Sequence, residues 1–274
     1  MANPDINLST ATRTNLLSLS RTTDLIARTQ ERLSTGLKVN SAIDDAIAFF
    51  QARSLSDRAS DLTLLKSAID LSINTVEVAA IGIESITGVI EQMKGLALAA
   101  KSDSSTANRS RAAVQFNDLR DQIDNLSNDA SFKGSNLIKG LTPNNLKVTF
   151  SEDGSSSLTV SGISSDASGL SVTTAAVNWT TDANIDLAIN DLDSALSTLR
   201  STASNLGSNA AVLSLRLDFT KNLINSLSEG SSKLVNADLN EESANLLTLQ
   251  TRQQLGTIGL SIAQQSEQSI LRLF

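Results

Sequence analysis

Residues 62–97 read LTLLKSAIDLSINTVEVAAIGIESITGVIEQMKGLA, and their apolar residues recur at gaps of three or four. The recurring positions are Leu62, Leu65, Ile69, Ile73, Val76, Ala80, Ile83, Ile86, Ile90, Met93 and Ala97. The ten gaps cover 35 residues, so their mean of about 3.5 is the period of a coiled-coil seam. This stretch therefore predicts a helix whose apolar face packs lengthwise along a neighbouring helix.

The same pattern predicts which side chains form the core of that packing. They are Leu62, Leu65, Ile69, Ile73, Val76, Ile83, Ile86 and Ile90. Upstream, Ser41 and Asp44 form an S-x-x-D capping box, so we expect the helix to begin there and continue to about Lys101. At about 1.5 Å per residue its length is on the order of 85 Å, more than the width of a globular domain. The length favours an elongated bundle.

A second helix is predicted after the capping residues of the stretch 102–108. One face of it carries Val114, Phe116, Leu119, Ile123 and Leu126. The short turn lets this helix fold back antiparallel on the first. From residue 146 the period becomes two, with Asp153-Gly154 between the alternating runs, which predicts a hairpin in a small β region. We expect Trp179 to pack beneath it.

Two further helices are predicted in the C-terminal part of the chain. Asp182 can cap a helix that continues to about Leu227, where Glu-Gly-Ser-Ser at 229–232 is expected to break it. Asp238 and Glu241 form another capping box and open a last helix. Its apolar face carries Leu255, Ile258, Ile262, Ile270 and Leu273.

The fold class follows from where the helix breakers lie. Pro4 and Pro143 are the only prolines, so both ends of the chain can form long helices that pair with each other. Aromatic residues make up 3% of the chain, which suits a thin helical seam better than a thick core. We predict a mainly α protein: an elongated antiparallel helical, coiled-coil bundle formed by both ends, with a small central β-hairpin region.

Composition excludes most enzyme classes. The chain has no Cys and no His, which removes thiolate and imidazole nucleophiles, bases and metal ligands. The adjacent carboxylates Asp44 and Asp45 lack a basic or phosphate-binding partner, and the simpler reading is favourable charge at a helix N-terminus. We therefore expect no catalytic residue, no cofactor site and no metal site. The net charge of −7 argues against nucleic acid, and we expect no membrane span and no Sec signal peptide.

Both ends of the chain carry a resemblance to a known family. The segment LSTGLKVNSAIDDA (33–46) resembles the N-terminal signature of bacterial flagellin, in which S-A-x-D-D-A follows a Leu-Ser-x-Gly turn. LQTRQQLGTIGLSIAQQSEQSILRLF (249–274) is similar to the flagellin C-terminus, and its last residues are like those of alphaproteobacterial flagellins. Ala130-Ser131-Phe132-Lys133-Gly134 resembles the family's Q-T-x-F-N-G element, with Lys133 in place of Asn.

The resemblance implies a subunit that self-assembles into the flagellar filament and gives swimming motility. Its segments would be an inner-tube helix and spoke (1–43), two shaft helices (44–140), a small β region (141–181), a further shaft helix (182–229), and a spoke with an inner-tube helix (230–274). The spoke would comprise residues 36–43 and 230–237. Because the β region is short, we expect a short form without large outer domains.

The implied assembly contacts lie on the two terminal helices. The candidate assembly residues are Leu8, Leu16, Leu19, Ile26, Leu33, Leu255, Ile258, Ile262, Ile270, Leu273 and Phe274. These apolar stripes are too sparse to stabilise lone helices, so we expect both ends to be disordered in the monomer and helical in the polymer.

The implied partners are other flagellin subunits, the flagellar type III export apparatus with a chaperone, the filament cap and hook-associated proteins. The protein would be secreted into the extracellular filament. Two alternatives remain open. A hook-filament junction protein shares the N-terminal signature, but such proteins usually read D-D-P where this chain has Ala46. A soluble coiled-coil adaptor is the alternative from a different class.

Overall fold

The computed structural model describes residues 10–140 and 143–271, which are mainly helical, as predicted. The long elements are α1 (Thr10–Thr35), α2 (Ala46–Ser102), α3 (Thr106–Asp129), β1 (Leu146–Thr149), β2 (Ser157–Val160), α4 (Asp182–Val235) and α5 (Leu239–Leu271). The chain divides into two units. Unit 1 contains residues up to Asp57 and from Leu227 onward, and unit 2 contains Arg58–Ser226.

The core of unit 2 is a regular seven-residue repeat on α2. Six of the eight predicted core residues are buried, namely Leu62, Ile69, Val76, Ile83, Ile86 and Ile90, whereas Leu65 and Ile73 are half-buried. The second series of buried positions is Ser72, Ala79, Ile86, Met93 and Ala100. The seam therefore passes through Ser72 and Ala79 where the sequence pattern placed Ile73 and Ala80. The large Ile73 packs on the flank of the seam, and the smaller neighbour occupies its centre.

Helices α2 and α4 are antiparallel neighbours within unit 2. Lys94 pairs with Asp193, and one heptad further along α2, Lys101 pairs with Asp186. Leu192, Leu199 and Leu206 of α4 are buried in the same core. The two lysines and the two aspartates of these pairs are all partly exposed. The pairs therefore contribute little to the free energy of unfolding and chiefly fix the register of α2 against α4.

Helix α3 begins at its N-cap Ser105, whose side chain accepts a hydrogen bond from Asn108 N. Phe116 and Ile123 are buried as predicted, but Val114 is 56% exposed and its expected place is taken by Ala113. A shift of one residue turns a helical side chain by about 100°, which moves it off a narrow face.

The predicted hairpin is confirmed, with β1 and β2 antiparallel and Val148 opposite Leu158. Gly154 has a φ of +74°, which the turn requires. Hydrogen bonds from the side chain of Ser151 and the backbone and side chain of Ser155 lower the pKa of Asp153 to about 2. Because this value lies below the ordinary 3.8, the turn keeps its hydrogen bonds above about pH 4 and loses them as the pH falls towards 2. Trp179 is buried, with its ring 4.9 Å from that of Phe116.

Two helix boundaries differ from the predicted ones. Helix α4 continues through Gly230 to Val235, so the expected break at 229–232 is wrong. Ser231 Oγ donates to Ala52 O at 2.9 Å, and this tertiary contact holds the Gly-Ser stretch in the helix. The N-cap of α2 is Asp45, whose Oδ1 accepts from Ala48 N at 3.0 Å. The Ser41–Asp44 pair closes the preceding turn and does not cap the helix.

By length and composition, α2 could cross a membrane, because one 18-residue window has a mean hydropathy of 1.4. The expectation that no stretch approaches a membrane span is therefore wrong by this measure. Core helices of soluble proteins pass the same test. In α2, Ile83, Ile86 and Ile90 are buried against other parts of unit 2, so its apolar face already has a protein partner.

Candidate functional site

The terminal helices α1 and α5 pack against each other in unit 1 and run antiparallel. Arg32 Nη1 lies 2.8 Å from Glu242 Oε1 near one end, and further along, Thr23 Oγ1 accepts from Gln253 Nε2 at 3.4 Å. A Cβ added at Gly256 would lie 3.3 Å from Leu19. The glycine therefore permits the close approach of the two helices at this level.

The α1 side of this contact is a seam of alternating threonine and apolar residues. Thr12, Thr22 and Thr29 are buried, and Leu19, Ile26 and Leu33 are half-buried on the same face. Thr22 Oγ1 donates to Ser18 O at 2.9 Å, so the hydroxyl is satisfied within its own helix. The remaining surface of the threonine then packs much as a small aliphatic side chain does.

No described apolar residue of α1 or α5 is fully buried, in contrast to the core of unit 2. On α5 the side facing α1 carries half-buried or buried Glu242, Leu246, Leu249, Gln253, Gly256, Leu260 and Ala263. The contact is therefore thin and partly polar. Of the predicted assembly residues, Leu19, Ile26 and Leu33 lie on it, whereas Leu16 is 40% exposed at its edge.

Among the described residues of unit 1, Arg32 and Glu242 form the best-enclosed ion pair, with side chains 29% and 10% exposed. We expect Arg32→Met to destabilise the α1·α5 pair in the filament by about 1–2 kcal/mol, because it leaves the Glu242 carboxylate enclosed without its cation. The thermal midpoint of filament dissociation measures this. The double change to methionine at both positions should recover most of the loss. Arg53→Met, in an exposed pair with Asp57, is the control and should have little effect. A double variant no more stable than Arg32→Met would contradict the argument.

The face of α5 opposite α1 carries an apolar stripe, which we call the outer stripe: Leu247, Leu255, Ile258 and Ile262. These side chains are 56–67% exposed, and Thr251 lies among them. Three were predicted as assembly residues. The sequence pattern missed Leu247. It lies two steps of four residues before Leu255, with Thr251 between them, so the helical spacing could have found it. Leu8, Leu273 and Phe274 lie outside the described residues, as does the side chain of Ile270.

The segment after α1 is hydrogen-bonded to the segment between α4 and α5. Lys38 N donates to Val235 O at 2.6 Å, and Ala237 N donates to Gly36 O at 2.9 Å. Gly36 adopts a φ of +72°, which a side chain would disfavour. The link after α1 is thereby tied to the end of α4, which fixes where α1 and α5 begin their contact.

The turn before α2 is closed by Asp44. Its Oδ2 accepts from Asn40 N, Ser41 N and Ser41 Oγ at 3.0–3.1 Å. These bonds, that from the Ser41 backbone first, hold the pKa of the Asp44 carboxyl below its ordinary value. The carboxyl pair at Asp44 and Asp45 thus orders a turn and caps a helix. The described residues contain no cluster of three or more potential metal-binding side chains.

Comparison with known protein families identifies the family of this chain. Residues 6–142 match the bacterial flagellin N-terminal helical region, and residues 189–274 match the bacterial flagellin C-terminal helical region. The chain belongs to the bacterial flagellin family. It is a structural subunit of the flagellar filament and not an enzyme.

Full-length relatives agree with this assignment. This flagellin is 36% identical over 277 residues to flagellin FljK of Caulobacter vibrioides, with 100% of both chains covered. It is 30% identical over 270 residues to a flagellin of Brucella melitensis, with 95% of each chain covered. The suspected short, alphaproteobacterial-like form is confirmed. Flagellins polymerise with other flagellins, and the family forms the extracellular filament of the flagellum.

Solved structures share the fold at low identity. Bacillus cereus flagellin has a TM-score of 0.50 and 18% identity, covering 56% of this chain and 88% of its own. A flagellar hook-associated protein of Vibrio parahaemolyticus has a TM-score of 0.61 and 15% identity, covering 70% of this chain and all of its own. These likenesses support the helical architecture alone.

Proposed function

We propose that the α1·α5 pair forms the inner contact of the filament and that the outer stripe of α5 binds neighbouring subunits. The observation that carries the proposal is the exposure of Leu247, Leu255, Ile258 and Ile262 on the side of α5 away from α1. An exposed apolar stripe on a helix that already has one partner indicates a second protein surface.

The energetics favour polymerisation through this stripe. Full burial of a large aliphatic side chain stabilises by about 1.5–3 kcal/mol, so four of them supply on the order of 6–12 kcal/mol per subunit as an upper bound. Ordering the terminal helices opposes this gain. A thin α1·α5 seam and a wide outer stripe together make the ends stable chiefly when neighbouring subunits cover them.

We also propose the finer division of the chain and its route. Residues 44–140 and 182–229 form the shaft, while 1–43 and 230–274 form the inner tube and spoke. The subunit leaves the cell through the flagellar type III apparatus with a chaperone and meets the cap and hook-associated proteins. The filament it builds gives swimming motility. Family membership and the absence of cysteine, which could cross-link subunits in transit, support this route.

Seeded polymerisation of the purified full-length chain tests the assembly surface. Electron microscopy after addition of sheared filament fragments should show long fibres. Ile258→Asp should raise the critical concentration at least tenfold, because a charge in a buried contact costs several kcal/mol. Thr257→Asp, an exposed change one residue away and about 100° around α5 from Ile258, should polymerise normally. Normal polymerisation of the Ile258→Asp variant would show that the outer stripe is not part of the assembly contact.

A hook-filament junction protein is the second candidate for the same fold. The likeness to the Vibrio parahaemolyticus protein concerns the helical architecture, which both candidates share. Full-length similarity to filament flagellins and Ala46 after the D-D pair favour the filament subunit. Seeded growth distinguishes the two candidates, because a filament subunit extends seeds into long fibres and a junction protein does not.

A further inference from the structure

An exposed apolar cluster lies at the start of α2, which we call the apolar turn: Ile43, Ile47 and Phe50. Their exposed fractions are 96%, 73% and 63%. Ile47 and Phe50 are three residues apart in the helix and share a face. Such a concentration of large apolar side chains in eight residues of unit 1 indicates a protein contact.

The apolar turn is held in place by the side-chain carboxylates of Asp44 and Asp45. The three hydrogen bonds to Asp44 Oδ2 close the turn on one side of Ile43, and the Asp45 cap fixes the first turn of α2 on the other. A side chain presented by a closed turn loses little entropy when a partner covers it. Ile43 is thus preorganised for binding.

A surface of matching character lies along α5, between the outer stripe and the flank beside α1, where Arg252 also borders hollows shared with α1. Leu247, Thr248, Thr251, Arg252 and Leu255 line a shallow hollow of about 400 Å³, which we call the α5 hollow. Its two leucines belong to the outer stripe. Arg252 makes no ion pair with any residue that the structure describes.

The charges of the two surfaces are complementary. Asp45, beside Ile43, caps α2 but has no cationic partner among the described residues. Arg252 lies between the two leucines of the α5 hollow along the chain. One surface therefore offers an apolar side chain beside a carboxylate, and the other offers apolar walls with a guanidinium.

We propose that the apolar turn of one subunit docks into the α5 hollow of a second copy of this chain, with Asp45 facing Arg252. The proposal rests on the proposed function and names one contact within it. An open helical polymer requires contacts between two unlike patches of the same chain, because a patch that binds its own copy closes into a dimer. The apolar turn and the α5 hollow are such a pair.

Disulfide trapping in filaments tests the contact directly, because the natural chain has no cysteine. In the double variant Ile43→Cys and Thr251→Cys, mild oxidation of filaments should produce a ladder of dimers, trimers and longer oligomers on a non-reducing gel. The matched control combines Ile43→Cys with Thr257→Cys, another exposed threonine of α5 on a different face. It should remain monomeric under the same oxidation.

A charge cycle provides a second measurement. Asp45→Ser keeps a capping side chain but removes the charge, and it should raise the critical concentration about two- to fivefold. Arg252→Gln should do the same. The double variant should be no worse than either single one, since both remove one interaction.

The outcomes separate this contact from filament formation itself. Filaments that form normally but yield no ladder from Ile43→Cys with Thr251→Cys would overturn the contact and leave the assembly role intact. Fully additive effects of Asp45→Ser and Arg252→Gln would also overturn it. Failure of the unmodified chain to extend seeds would instead reject the proposed function.

Discussion

Ile83→Asp should strongly destabilise unit 2 and prevent filament formation. Ile83 is 2% exposed at the seam of α2, and its neighbours in the repeat, Val76 and Ile90, are also buried. Ile83 belongs to the apolar core cluster of unit 2, so a carboxylate there loses its hydration. We expect a loss of roughly 4 kcal/mol or more, a large share of the stability of a helical unit of this size.

Urea unfolding of the purified chain, followed by circular dichroism, measures this loss. Ile81→Asp is the matched control, because Ile81 belongs to the same helix, differs by two positions and is 62% exposed. Its urea midpoint should stay close to that of the unmodified chain. Equal midpoints for the two variants would show that the seam does not pass through Ile83.

The sequence predicted the α2 seam well because one helix with strong periodicity fixes its own buried face. The errors were shifts of one residue, at Ile73 on α2 and at Val114 on α3, where a smaller neighbour occupies the buried position. Hydrophobicity alone ranks Ile above Ser and Val above Ala. The space between two close helices favours the smaller side chain, and that space depends on the partner helix.

The terminal site was harder to predict for a related reason. The apolar residues of α5 were expected on one shared face, but the sequence did not show whether that face meets α1 or a neighbouring subunit. The face towards α1 includes Glu242, Gln253 and Gly256, which no apolar pattern would select. Burial of Glu242 depends on Arg32, 210 residues away, so only the folded chain brings out this pairing.

The helix boundary at residues 229–232 shows how tertiary contacts override local signals. Gly230 and two serines form a strong breaker pattern in isolation. In the folded chain, Ser231 bonds to Ala52 O and Glu229 pairs with Lys233 at 2.7 Å, so the helix continues. Neither the long-range contact nor its geometry is visible from composition.

The second large effect concerns the difference in stability between the two units. Among the described side chains, the seam of α1 with α5 contains buried threonines and no fully buried apolar residue, whereas unit 2 has a continuous apolar core. In hydrogen exchange on the monomer, we expect residues 10–35 and 239–271 to exchange within seconds and the core stretch of α2 to stay protected. In filaments both regions should be protected, because neighbouring subunits cover the outer stripe.

One substitution tests whether the thin seam is the reason for the low stability of the terminal helices. Thr22→Val replaces a buried hydroxyl by a methyl group of nearly the same shape, and it should stabilise the α1·α5 pair by about 1 kcal/mol and slow exchange in the monomer several-fold. Thr14→Val is the control. Thr14 Oγ1 makes the same bond to the carbonyl four residues earlier, at 2.8 Å, but the side chain is exposed. Because both changes remove one such bond and both residues are β-branched, only burial in the seam distinguishes them. Equal exchange rates in the two variants, or strong protection of both terminal helices in the unmodified monomer, would show that the thin seam does not limit the stability of the ends.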